Sequence, residues 1–343
     1  MLIEREHIET AFETIRQAFR PTPLARSHYL SEKLGARVWL KLETLQPTHS
    51  FKVRGAYNAI SRLPARQREY GVVTASGGNH GLALAYSARL AGIPATVYLP
   101  RKSPPDRPKA IESLGATVVL QGESWDESNV AAQALAQDKG AAYIHPFDNV
   151  DVMAGQGTIV SELVSQIPRI DWLLASIGGG GLLSGLISAA AAYSPKTRLV
   201  GVETEGADSM YQSWRAGRIV ELPAITSIAE TLGARKTAQR QFDIVTRNAS
   251  KLVTVSDQQA VDALLEILAE DKLLTEPATA CSVAALLAGK IDVGPDDNVV
   301  VVLCGANAGM SRVAGWAASY AQTSKARPNG APPNALIDTD GNH

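Results

Sequence analysis

Trp172-Leu173-Leu174-Ala175-Ser176-Ile177 followed by Gly178-Gly179-Gly180-Gly181 and then Leu182-Leu183 decides the fold class. A short apolar run closed by turn residues reads as a buried strand, and the apolar segment running on to Tyr193 reads as a helix. The order is therefore strand, glycine loop, helix. Four glycines leave backbone N–H groups without a Cβ beside them, and a helix start adds the positive end of its dipole. Such a loop is either an anion site suited to a single phosphate or a tight, flexible turn. No Gly-Lys-Ser/Thr follows it, so it is not a Walker loop, and its glycines lack the spacing of the dinucleotide fingerprint.

The same rhythm extends outward in both directions. Toward the N-terminus, Val72 to Thr74 reads as a strand, Ser76 to Asn79 as a loop and His80 to Ala91 as a helix. Ala95 to Leu99 and Thr117 to Leu120 read as strands, with a helix from Pro105 to Leu114 between them. A helix from Asp126 to Lys139 and a strand from Ala142 to Ile144 follow. Toward the C-terminus come a helix Gly157 to Gln166, a strand Leu199 to Val202, helices Gln258 to Glu270 and Pro277 to Leu287, and the strand Val299 to Leu303. An amphipathic helix from Glu4 to Phe19 and a strand from Arg37 to Leu42 open the chain. Alternating β and α units predict an α/β fold with twisted parallel or mixed sheets covered by helices. We expect two domains: residues 1–70 with 147–322 as the larger, and residues 71–146 as the smaller. From Thr323 to His343, poor in apolar residues, a disordered tail is expected. No internal repeat is evident.

Composition excludes several classes. With 343 residues, 45% hydrophobic and 20% charged, the chain matches an ordinary globular protein. A formal charge of -1 and no Lys/Arg block give no reason to expect nucleic acid or an anionic membrane as partner. Met1 to Glu13 is studded with charge and carries no apolar signal core. Its 2 cysteines, Cys281 and Cys304, form no disulfide framework and suit a reducing cytoplasm.

Three stretches carry chemistry besides the glycine loop. Lys52, in Ser50-Phe51-Lys52-Val53-Arg54-Gly55-Ala56, follows the strand Arg37 to Leu42. It is either a solvated lysine at a helix start or a desolvated amine able to form a Schiff base. Ser76-Gly77-Gly78-Asn79-His80 is a second strand-to-helix loop, a carboxylate site or a simple polar cap. In the first case the Asn79 amide donates to a phenolic oxygen, while a lone histidine such as His80 in a cap is more often structural than catalytic. Cys304 closes the strand Val299 to Leu303, as a core thiol or as a polar group at a ligand-bearing strand end. A Schiff-base lysine, a phosphate cradle and an asparagine-and-carboxylate loop are the parts that hold pyridoxal phosphate and an amino acid.

SFKVRGA around Lys52, SGGNHG at 76–81, HPFDN at 145–149, AGQGT at 154–158, GGGG at 178–181 and EP at 276–277 together resemble the fold-type II pyridoxal-phosphate family. Within it the chain is similar to the threonine/serine dehydratases and serine racemases. The resemblance implies a tryptophan-synthase-β-like fold and a homodimer. It makes Lys52 the Schiff-base residue, packs Phe51 on the cofactor ring, sets Asn79 at the ring hydroxyl, and gives Gly178 to Gly181 the phosphate. Cys304 would face the pyridine nitrogen, and Ser76, Gly77, Gly78, Asn79 and His80 would hold the substrate. The implied reaction is β-elimination from an L-β-hydroxy amino acid, giving a keto acid and ammonia. A bulkier substrate, such as phenylserine or hydroxyaspartate, or racemisation of serine, is the alternative.

Departures from the family pattern sharpen these expectations. Gly77 stands where serine racemases have an acid/base serine, which argues for elimination and for room beside the substrate. His49 replaces a usual glycine and is expected to shape specificity. Glu203 and Ala207 match part of a divalent-cation loop of some relatives, although Ser209 replaces an expected acid. No regulatory module is expected after residue 320.

Overall fold

The computed structural model describes residues 1–325. Residues Met1–Asn307 form one compact unit, and the described part of the second, Ala308–His343, contains the helix Met310–Lys325. That helix runs through Thr323, where the tail was expected to begin; the rest of the expected tail, 326–343, lies outside the described residues.

Ten strands are described: β1 (Leu24–Arg26), β2 (Arg37–Lys41), β3 (Val72–Ala75), β4 (Ala95–Leu99), β5 (Thr117–Leu120), β6 (Ala142–Tyr143), β7 (Trp172–Ser176), β8 (Arg198–Thr204), β9 (Lys251–Val255) and β10 (Asn298–Val302). Six form a mixed sheet in the order β1-β2-β10-β7-β8-β9, in which only β1 runs antiparallel to its neighbour. The other four form a parallel sheet in the order β5-β4-β3-β6. Central strands are buried on both faces, and their sequences show why. Val299 to Val302 are wholly buried between β2 and β7, as a continuous β-branched run requires.

The helix Lys52–Ser61 lies against the helix Val150–Gln166 with almost no space between backbones. A Cβ on Gly155 would lie 2.7 Å from the Gly55 Cα, and one on Gly55 would lie 2.6 Å from the Val152 carbonyl oxygen. Two facing glycines thus set the approach. The longer helix begins at Val150, seven residues before the expected Gly157, because Asn149 caps it by accepting the Val152 N–H at 3.0 Å. In a parallel α/β sheet, ligands gather beyond the carboxyl ends of the strands. Here β3, β7 and β10 deliver Ser76, Gly178 and Cys304 to the wall of one cavity.

Candidate active site

The cavity has a volume of about 680 Å³, and Lys52 lies in its wall. The backbone just before Lys52 is tied to the segment after β10. Phe51 N–H donates to the Cys304 carbonyl at 2.9 Å, and Ser50 pairs with Gly305 in an isolated β-bridge. The amine Nζ donates to the Pro146 carbonyl at 2.7 Å and stands 5.1 Å from the Phe51 ring centroid. Burial lowers its pKa from 10.5 to about 8, so a useful fraction is neutral near physiological pH.

Gly178 to Gly181 lie between β7 and the helix Gly181–Tyr193, with Gly180 at φ 92°. Among the described residues, nothing accepts a hydrogen bond from the N–H groups of these four glycines. Side chains are excluded there. A Cβ on Gly179 would lie 2.2 Å from Phe147 Cδ1, one on Gly180 2.9 Å from Gln241 Cβ, and one on Gly181 2.9 Å from Phe147 Cα. The result is a bare N–H cradle at a helix N-terminus in the wall that also holds Lys52.

In the same cavity wall, the loop Ser76 to Gly78 leads into the helix Asn79–Ala91. Asn79 is fixed at both ends of its amide: Nδ2 donates to Glu276 Oε1 at 2.8 Å, and Oδ1 accepts from Asn307 Nδ2 at 2.7 Å. Asn307 also donates to the Thr48 carbonyl at 2.8 Å, and Glu276 accepts from the Thr231 hydroxyl at 2.9 Å. Burial holds Glu276 above the usual carboxylate range despite these donors. Glu276, Thr231 and Asn307 were not singled out as site residues in the sequence. Only the Glu-Pro pair at 276–277 gave any sign of them, because their role comes from three-dimensional contact with Asn79.

Cys304 is buried with its Sγ 3.1 Å from both the Ser176 and Thr279 hydroxyls. Burial pushes the thiol up to about 11, so it is neutral. His80 is 2% exposed and its Nε2 donates to the Ile144 carbonyl at 3.1 Å, leaving Nδ1 buried without a partner. Burial, with Lys52 nearby, lowers its pKa to about 3.

Three expectations change. Gly77 does line the cavity, but its missing side chain does not widen it: a Cβ there would lie 3.0 Å from Leu99 Cδ2 and 3.6 Å from Arg107 Cδ. His49 is exposed and lies outside the cavity wall. The cation loop is corrected as well. Glu203 turns both carboxylate oxygens onto the first turn of the helix Ser209–Ala216, accepting the N–H groups of Met210 at 3.2 Å and Tyr211 at 2.7 Å. The Ser209 hydroxyl, at the position of the missing acid, donates to the Ala234 carbonyl. Among the described residues no group of three or more His, Cys, Asp or Glu is arranged to hold a metal.

These residues fit a cofactor that is both a carbonyl compound and a phosphate ester: a lowered amine, an unused N–H cradle and a fixed amide share one wall. Residues 15–305 match the family described as pyridoxal-phosphate dependent enzyme. The chain belongs to that family. It is 38% identical over 306 residues to an L-threonine ammonia-lyase of Thermotoga maritima, covering 89% of this chain and 76% of that one. It also resembles the solved threonine deaminase isoform 2 of Solanum lycopersicum, with a TM-score of 0.87 at 29% identity, covering 93% of this chain and 88% of the other. The serine racemase of Dictyostelium discoideum is similar too, with a TM-score of 0.83 at 32% identity over 89% and 98% of the two chains. Both solved relatives share the fold over about nine-tenths of this chain.

Proposed function

We propose that this pyridoxal-phosphate enzyme eliminates water from an L-β-hydroxy amino acid of the serine/threonine type, releasing a 2-keto acid and ammonia. The observation that carries the reading is the sharing of one cavity wall by the lowered Lys52 amine and the bare glycine cradle. When bound, the cofactor supplies a carbonyl for the amine and a ring that acidifies the substrate's α-hydrogen.

The chain's own groups have separate tasks. Gly178 to Gly181 donate N–H groups to the phosphate, and Phe51 packs on the ring. Asn79 offers its Glu276-anchored amide to the ring hydroxyl. Cys304, neutral between Ser176 and Thr279, meets the ring nitrogen without the charge that a carboxylate would bring. The loop from Ser76 to His80 receives the substrate carboxylate at a helix N-terminus. Lys52 Nζ, neutral above about pH 8, takes the α-proton. Gly77 offers no side chain that could deliver a proton to the opposite face, so elimination is favoured over racemisation.

On this reading residues 71–146 act as a small substrate-loop domain against the larger remainder, and the enzyme works as a cytoplasmic homodimer. No helix among the described residues is long and apolar enough to cross a membrane. The test is product analysis with L-serine and L-threonine, in wild type and Lys52→Ala. Keto acid and ammonia in equal amounts, lost by at least a thousandfold in the variant, are expected. D-amino acid forming faster than keto acid, or normal turnover by Lys52→Ala, would overturn the proposal.

A further inference from the structure

Part of the cavity wall is left over once amine, carboxylate and phosphate are assigned. It lies between the start of the helix Trp125–Lys139 and the segment from Glu221 to Ala238. Apart from Lys52, each Lys or Arg of the cavity wall already has a carboxylate partner. Arg107 pairs with Glu230, Arg235 with Asp126 at 3.1 Å and Glu221 at 2.9 Å, and Lys236 with Glu221 at 3.0 Å. A second carboxylate on the substrate would meet cations already neutralised and would stand close to the wall's own acids, Asp126, Glu221 and Glu230.

Beside these ion pairs the wall carries three aromatic rings, Trp125 and, from the segment after β6, His145 and Phe147, together with the uncharged Ser124, Asn129 and Thr237. The Trp125 indole is fixed by its N–H, which donates to the Ala75 carbonyl at 2.8 Å. His145 meets Trp125 edge-to-face at 6.2 Å and 86°, and Phe147 at 4.5 Å and 90°. Its Nδ1 accepts the Asp148 N–H at 2.8 Å, which places the ring proton on Nε2. Burial lowers the imidazole pKa to about 4, so no charge resides there at neutral pH. Rings arranged at right angles in this way offer both edges and faces to another ring. The cavity of about 680 Å³ has to take the cofactor as well as the substrate, so the character of this wall, not the volume, bears on the side chain.

Building on the elimination reading above, we infer that the substrate side chain received beside Trp125, His145 and Phe147 is a neutral aryl group, making the preferred substrate a β-aryl-β-hydroxy-L-amino acid such as phenylserine. The α-hydrogen leaves to Lys52 Nζ, the Cβ–O bond breaks, and the hydroxyl departs as water. One water then hydrolyses the released enamine, so phenylserine gives phenylpyruvate and ammonia with no net oxidation.

The experiment compares kcat/KM of the holoenzyme for L-threo-phenylserine, L-threonine, L-serine and L-threo-3-hydroxyaspartate. At least a tenfold preference for phenylserine over threonine and over hydroxyaspartate is expected. Turnover of serine and threonine without that preference overturns the aryl assignment and leaves elimination standing. Bound cofactor with no keto acid from any of the four overturns both. Trp125→Ala should lower the phenylserine-to-serine ratio of kcat/KM at least tenfold, and Trp125→Phe should restore most of it. An unchanged ratio in Trp125→Ala, with cofactor absorbance intact, overturns the role given to this wall.

Discussion

His49 occupies the left-handed region at φ 52°, where a side chain bears a steric cost that glycine escapes. Its backbone has a reason to be there. Its N–H donates to the Gln46 carbonyl at 2.8 Å, and its carbonyl accepts the Ala306 N–H at 2.9 Å. This reverses the chain just before Ser50 and Lys52, tying the lysine's approach to the segment after β10. The exposed imidazole does not take part. His49→Gly should therefore stabilise the protein by about 1 kcal/mol, read as a raised urea midpoint at unchanged slope, and should leave the ranking of substrates as it was. A fall in stability would mean that the side chain makes a contact worth more than the strain. The sequence showed that this position departs from the family pattern, but not why. A residue code carries no φ angle.

The helix Lys52–Ser61 is anchored by a wholly buried charge network. Arg54 donates to both oxygens of Glu43, at 2.7 and 2.8 Å, and to both of Glu162, at 2.6 and 2.9 Å. Lys41, the last residue of β2, also donates to Glu162 and to the Thr22 carbonyl. Burial alone would raise Glu43, but the Arg54 guanidinium outweighs it and holds the carboxyl below its usual range. Two cations face two carboxylates, so the network is neutral only as a whole. Arg54→Leu should cost about 3–5 kcal/mol, because Glu43 keeps its burial and loses its ion-pair partner while Glu162 is left with Lys41 alone. Arg54→Lys should recover little, since an ammonium cannot reproduce the two-sided fork. A urea midpoint shift worth less than 1 kcal/mol would refute the view that these charges depend on each other. None of this was visible in the sequence, where four charged residues spread from 41 to 162 give no sign that they meet. At the same scale, β4 and β5 were legible to the residue, being short apolar runs between clear turn signals. β1 and β9 were not read as strands: one is three residues long and starts at a Pro-rich turn, and the other begins with an exposed lysine. The helix Val150–Gln166 was read seven residues short because Gly155 and Gly157 look like loop residues until a neighbouring backbone is set against them.

Across the whole unit Met1–Asn307, loops from separate strand ends converge on one cavity, and convergence buries titratable groups far apart in the chain. His80 enters from the start of one helix and is bound to the Ile144 carbonyl just past β6. Residue types and order made Lys52, Asn79 and the glycine loop legible as candidates; their burial was not, since it depends on the assembled wall. That burial has a consequence for stability. His80 titrates at about 3 in the folded protein against 6.5 when free, so between those values the unfolded chain holds the extra proton. Stability from this group is complete above pH 6.5 and is lost as pH falls toward 3. Glu203 and Glu276, held above the usual carboxylate range by burial, act with the opposite sign by keeping protons that the unfolded chain has released. The total slope therefore mixes both, and the histidine must be isolated by difference. His80→Gln removes one titration and leaves the carboxylates in place. The stability gap between wild type and this variant should close, or move in the variant's favour, by about 2 kcal/mol between pH 7 and pH 5. Urea unfolding at the two pH values measures it. Parallel curves for the two proteins would show that His80 accepts its proton in the folded state as readily as in the unfolded one.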